Sequence, residues 1–143
     1  MLRVGDTIVG TVRPGNGSYA LISQPGLTGS TGFAVLRPRK PGYTSLVYLA
    51  ATRADNIDRL AHLADGGAYP AVRPDLVGAT EVVRPDEATV GTFAEAVDPL
   101  LARVAQNESQ SRTLAAFRDA LLPKLISGEI RVPEAEAAVE QGA

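Results

Sequence analysis

The stretch from Phe93 to Ile126 constrains this chain most, because its apolar residues recur in the steps of four and three that a two-stranded coiled coil requires. The seam runs Phe93, Val97, Leu100, Val104, Asn107, Ser111, Leu114, Arg118, Leu121 and Leu125, and seven of these ten are apolar. Leu101, Phe117, Leu122 and Ile126 widen the stripe on the same side. At ~1.5 Å per residue such a helix runs on the order of 50 Å, too long to fold its whole seam back onto a domain made from the remaining residues. Much of the stripe should therefore meet another helix, and these ten positions form the expected pairing surface. Asn107 and Ser111 fall midway, where a buried amide penalises any register that leaves it unpaired. A two-fold axis near them would let the pair satisfy itself. The alternative is a split near Asn107 into two amphipathic pieces of one core, but residues 105–111 hold no Gly or Pro to break the helix.

A chain of 143 residues is one domain by length, or a small domain plus an extended arm. Charge favours the second description. Up to Pro85 there are nine Lys/Arg against six Asp/Glu, net +3; from Asp86 onward there are five against ten, net −5. The front is mildly basic and the arm acidic. A net +3 is weak for a protein that holds nucleic acid unaided, because phosphate contacts draw mainly on cationic and amide donors. With no Cys there is no disulfide framework, thiolate nucleophile or cysteine zinc site. The N-terminus lacks a basic region followed by an apolar run, and no window approaches 18 consecutive apolar residues, so neither a secretory signal nor a membrane span is expected. A cytoplasmic protein follows as the expectation.

Along the chain, residues 3–13 alternate well enough for a strand, residues 14–18 form a turn cluster, and residues 19–23 a second strand, giving a hairpin with a polar tip. Residues 24–32 read as a glycine-rich loop. Phe33 to Leu36 reads as a short buried strand ending at the basic loop Arg37-Pro-Arg-Lys-Pro-Gly42. Thr44 or Ser45 is expected to cap a helix carrying Leu46, Val47, Leu49 and Ala50, and Asp55 or Asn56 a second carrying Ile57, Leu60, Ala61 and Leu63. Residues 65–75 have the glycines and prolines of an ordered irregular loop, and residues 80–84 read as a returning strand. The long helix begins at Asp86 or Thr89; Pro123 is expected to kink it and Gly128 to end it, leaving residues 130–132 as a possible strand. The expected division is therefore a domain over 1–85, the helix and its extension over 86–132, and a frayed Ala/Glu-rich tail over 133–143. The fold class is α+β: a small mixed domain followed by one long coiled-coil-forming helix. The chain begins almost inside a strand, as though further strands stood upstream.

Enzymatic chemistry finds few of the residues it needs. His62 is the sole histidine, with no second His for a metal pair, and is expected to be a solvated surface group. Pro74-Asp75 followed by Glu81 resembles the start of a nuclease carboxylate cluster, but Val83 stands where that pattern needs Lys. Gly15-Asn-Gly17 lacks the Gly-Lys-Ser/Thr ending of a phosphate loop, and no Pro-Pro-aromatic run exists for base methylation. No catalysis, metal or cofactor is expected. The front loops instead hold side chains able to bond base edges, Arg to guanine and Asn or Gln to adenine. Three candidate clusters stand out: Arg13, Asn16, Ser18 and Tyr19; Thr28, Ser30 and Thr31; and Tyr69 and Arg73. From spacing alone, ordinary turn chemistry is the better account of the same residues.

The run Leu114-Ala-Ala-Phe-Arg-Asp-Ala-Leu-Leu-Pro-Lys-Leu-Ile-Ser-Gly-Glu-Ile-Arg-Val132 resembles the C-terminal conserved region of type I restriction-modification specificity subunits. Gly5-Asp-Thr-Ile-Val, Ser30-Thr-Gly-Phe-Ala-Val-Leu-Arg-Pro38 and Gly66-Gly-Ala-Tyr-Pro-Ala-Val-Arg-Pro-Asp75 resemble the latter part of a target recognition domain in that family. The resemblance implies a non-catalytic subunit in which the seam from Phe93 to Leu125 is half of an antiparallel helical spacer. It also implies that the loops around Arg13, Thr31 and Tyr69 face double-stranded DNA, and that the partners are an adenine methyltransferase subunit and a nuclease-translocase restriction subunit. The resemblance further implies one recognition domain, without its N-terminal portion, and one helix, so that a complete spacer would need two copies; such a homodimer would read a palindromic split site. The competing expectation is a non-catalytic scaffold whose helix assembles subunits while the domain reads nothing.

Overall fold

A computed structural model describes residues 1–142, with side chains to residue 140. It is α+β, as the sequence implies: a three-stranded antiparallel sheet with short helices, and one long helix. Strand β1 (Thr7–Gly10) lies between β2 (Tyr19–Leu21) and β3 (Phe33–Leu36). The register sets Thr7 beside Leu21 and Leu36, Val9 beside Tyr19 and Ala34, and Gly10 beside Phe33. Because both neighbours run antiparallel to β1, the 22–32 connection must travel the length of the sheet to begin β3.

Alternation turns Thr7 and Val9 inward. The core there joins Val9 and Ala34 to Ala51 of α1 (Thr44–Thr52), Ile57 and Leu60 of α2 (Ala54–Leu63), Val72, and Val77 of α3 (Pro74–Gly78). Helix α1 meets the sheet differently from its expected face: Ser45 and Ala51 are buried, Leu46 and Val47 half-buried, and Leu49 exposed. No side chain caps α1 or α2; the Thr44 hydroxyl donates to Pro41 O instead. Asn56, expected as a cap, is buried and donates from Nδ2 to Ala51 O at 2.8 Å, tying the end of α1 to the start of α2. Arg59 in turn donates to Asn56 Oδ1 and to Leu76 O.

Residues 80–84 form no strand. Thr80 is turned back into α3, its hydroxyl donating to Val77 O, and α3 packs against β3. Asp86 then caps the long helix α4 (Glu87–Ser127), accepting the Thr89 N–H at 2.8 Å. That bond holds the Asp86 carboxyl below the usual carboxylate range.

Helix α4 is continuous through Asn107, and also through Pro99 and Pro123, each of which removes an N–H from the helical ladder. Gly128, at φ 74°, stops the helix: its N–H donates to Leu125 O and that of Glu129 to Lys124 O, the paired 5→2 and 6→1 bonds of a Schellman motif. Arg131 next becomes the cap of α5 (Val132–Gly142), its N–H donating to Glu134 Oε2 at 2.8 Å. This capping-box bond draws residues 132–142 into a helix, in place of the short strand over 130–132 and the frayed tail. Ala143 lies outside the described residues.

The chain divides into two compact units, Met1–Leu101 and Ala102–Ala143, so the first turns of α4 belong with the front. In the front unit Val90 and Ala94 are buried. In the later unit Ala135 of α5 is buried, while Val104, Leu114, Leu122 and Ile126 are exposed. No helix among the described residues is long and apolar enough to cross a membrane.

Candidate nucleic-acid interface

The end of β1 where Gly10 meets Phe33 gathers several of the loop residues. Beyond it, Val12 pairs with Ala71, Val72 N–H donates to Thr11 O at 2.9 Å, and Arg13 N–H donates to Pro70 O at 2.7 Å. The 65–71 loop is thus laid against the hairpin tip. It is closed on itself by reciprocal bonds between Asp65 and Ala71. Gly66 adopts φ 121° there, and a Cβ at that position would come within 3.0 Å of Tyr69 O, so the tight turn requires glycine.

This closure brings the first and third clusters together. Arg13 donates from Nη2 to Ala68 O at 3.0 Å and lies 4.7 Å from the centre of the Tyr69 ring. Tyr69 is 71% exposed, an aromatic held outward by a fixed loop. Asn16 sits in the one-turn 3-10 helix Pro14–Asn16, and Ser18 O accepts the Gly10 N–H, so both stand at the same rim. A shallow hollow of about 290 Å³, lined by Arg13, Asn16, Ala61, Ala64, Ala68 and Pro70 among others, opens beside them.

The remaining candidates are placed otherwise. Tyr19 turns edge-on to Tyr48 of α1, ring centres 6.4 Å apart, and supports the hairpin. Arg73 pairs with Asp75 at 3.1 Å, both exposed. Ser30 Oγ accepts the Gly32 N–H and Gly32 O accepts the Thr11 N–H, which ties Thr31 to the rim through the backbone. Thr28 lies away from it, next to Leu27, whose carbonyl accepts the Leu2 N–H.

Sequence reasoning missed the strongest electrostatic feature of the front. Asp6 is 1% exposed and takes a two-pronged ion pair from Arg37, Nε to Oδ1 at 2.7 Å and Nη2 to Oδ2 at 2.6 Å, with the Arg3 N–H as a third donor. The hydrogen bonds from Arg37 hold the Asp6 carboxyl below its ordinary value, against the opposing push of burial. Arg37, first residue of the basic loop, is therefore committed to the fold. Lys40 of that loop is paired with Glu87 at the start of α4. With a sequence separation of 31 between Asp6 and Arg37, no local pattern signals their pairing. Among the described residues, no three His, Cys, Asp or Glu converge as a metal site would require.

No protein-family model matches this chain, and no solved structure matches it. A curated relative does: the type I restriction enzyme MjaIX specificity subunit of Methanocaldococcus jannaschii is 30% identical over 78 residues, 54% of this chain. The chain is a partial match to a specificity subunit. It covers 18% of that relative's length.

Proposed function

We propose that this chain is a DNA sequence-specificity component, a half-subunit or fragment, of a type I restriction-modification complex. The observation that carries the reading is the rim at which Arg13, Asn16, Ser18 and Tyr69 come together, exposed and fixed by backbone bonds. Its residue types suit base edges in a groove, and the match to a specificity subunit supports the same assignment. The front unit reads part of a DNA target. The seam residues of α4 pair with the helix of a second copy, and the assembled dimer directs an adenine methyltransferase subunit and a restriction subunit to a split site. Exposure of Leu100, Val104 and Leu114 is what such a seam presents before pairing.

A tagged pull-down from the host's own lysate tests this. Recovery of an adenine methyltransferase subunit, together with tighter DNA binding in its presence, is the expected result. Recovery of the chain with only copies of itself would favour the scaffold alternative, in which the helix assembles and the rim reads nothing.

A further inference from the structure

We propose that Arg13 and Tyr69 act as one unit, in which the Arg13 guanidinium, backed by the Tyr69 ring, reads a guanine edge in the major groove. The assignment rests on the DNA-recognition reading above and names the base that the rim selects.

Arg13 is the one non-glycine residue with positive φ among the described residues, at φ 47° and ψ 57°. That left-handed conformation crowds the Cβ of an L-residue, and the bond from Arg13 N–H to Pro70 O holds it there. The effect is to turn the side chain onto the closed 65–71 loop, where Ala68 O and the Tyr69 ring fix the plane of the guanidinium. A guanidinium has five N–H groups, two of them on Nη2. Ala68 O engages one Nη2 hydrogen, so whichever it takes, the other still forms a two-pronged fork with Nη1 or with Nε. Guanine, with O6 and N7 side by side, accepts such a fork; adenine presents a donor at one of the two positions and repels it.

A phosphate also accepts a fork, but the surroundings disfavour one here. Asn16 and Ser18 are uncharged, and the neighbouring Arg73 is paired with Asp75. A surface that tracks a backbone spreads several unpaired cations along it, whereas this rim presents a single guanidinium in one fixed orientation. Fixed orientation matters for reading a base edge more than for neutralising a phosphate.

The test is selection of randomised DNA duplexes by the full chain at low salt, followed by sequencing of what is retained. The unaltered chain should enrich a motif with guanine at one position. Arg13→Lys keeps the charge and loses the fork, and should relax preference at that position by about 10-fold or more with total retention little changed. Tyr69→Phe keeps the ring and should preserve the motif, while Tyr69→Ala should relax the same position. A motif that survives Arg13→Lys at every position, or uniform weakening across all sequences, overturns the proposal and leaves the recognition reading standing. Absence of any enriched sequence with the unaltered chain, both alone and with an adenine methyltransferase subunit added, overturns both. Melting curves of the variants matched to the unaltered chain exclude misfolding as the cause.

Discussion

The front unit and the later half of α4 contain similar apolar residues and dispose of them in opposite ways. In the front, Val9, Leu60, Val77 and their neighbours close on one another, with Leu60 and Val77 wholly excluded from water. Along the later half of α4, Val104, Leu114 and Ile126 are more than half exposed. The difference is geometric. A sheet and three short helices can enclose a common interior, whereas a helix of about 60 Å at ~1.5 Å per residue cannot enclose one alone, and Val104, Leu114, Leu122 and Ile126 stay exposed on it. One region is finished by folding, and the proposal is that the other is finished by association.

The largest effect should come from breaking the finished region. Leu60→Ala leaves a cavity where the side chain contacts sheet and helices, and should cost about 4 kcal/mol of front-unit stability. Urea titration of the chain reads this; a loss under 1 kcal/mol would mean that the front has no such shared interior. Leu114→Glu attacks the other region. It places a carboxylate in the proposed seam on both copies of a dimer and should weaken self-association by about 3 kcal/mol, roughly a hundredfold. Sedimentation at low micromolar concentration should then find monomers, with the urea midpoint of the front unmoved. A dimer that persists contradicts the pairing of α4.

A smaller effect separates the two regions by pH. Asp6 has a folded-state pKa below its ordinary value, so its contribution is fully present above about pH 4 and fades as pH falls through the folded value. Asp6→Asn should cost about 2 kcal/mol at neutral pH, because the ion pair between buried Asp6 and half-exposed Arg37 becomes a neutral hydrogen bond. The variant should also lose part of the acid sensitivity expected of the unaltered chain below pH 4. Melting temperatures across pH 2 to 7 measure both, and an unchanged acid slope would show that Asp6 does not couple folding to protonation.

Local grammar made much of this fold readable. Phe33–Leu36 is a strand with the boundaries its apolar run suggests, and the turn cluster at residues 14–18 does connect paired strands. The step of four and three announced α4, and Gly128 its end. What escaped depends on distant partners or on competition. The valines of residues 80–84 favour a strand, yet strand propensity acts only through pairing, and the Thr80 hydroxyl bond to Val77 O turns the chain back into α3 instead. The capping-box glutamate of α5 was present as Glu134 behind Pro133, but the Ala/Glu composition suggested fraying. Of the candidate rim, residue types pointed to Arg13 and Tyr69 separately. Their stacking could not be foreseen, because it follows from the Val12–Ala71 bridge and a left-handed Arg13.

The smallest of these effects concerns how α4 stops. Gly128 sits at φ 74°, and nothing lies within 4 Å of where a Cβ would be, so Gly128→Ala is opposed by backbone strain alone. That strain is about 1 kcal/mol for an L-residue in the left-handed region. In the front unit a cost of this size would be shared by a whole core. In the later unit it falls on the two Schellman bonds and the Arg131 cap that follows, so its effect should be local. Amide exchange should quicken at Gly128, Glu129 and Arg131 by about fivefold, while Val9 and Leu60 exchange as before. Equal acceleration in both places would show that the two units unfold together, and the contrast between a self-sufficient front and a helix awaiting its partner would fail.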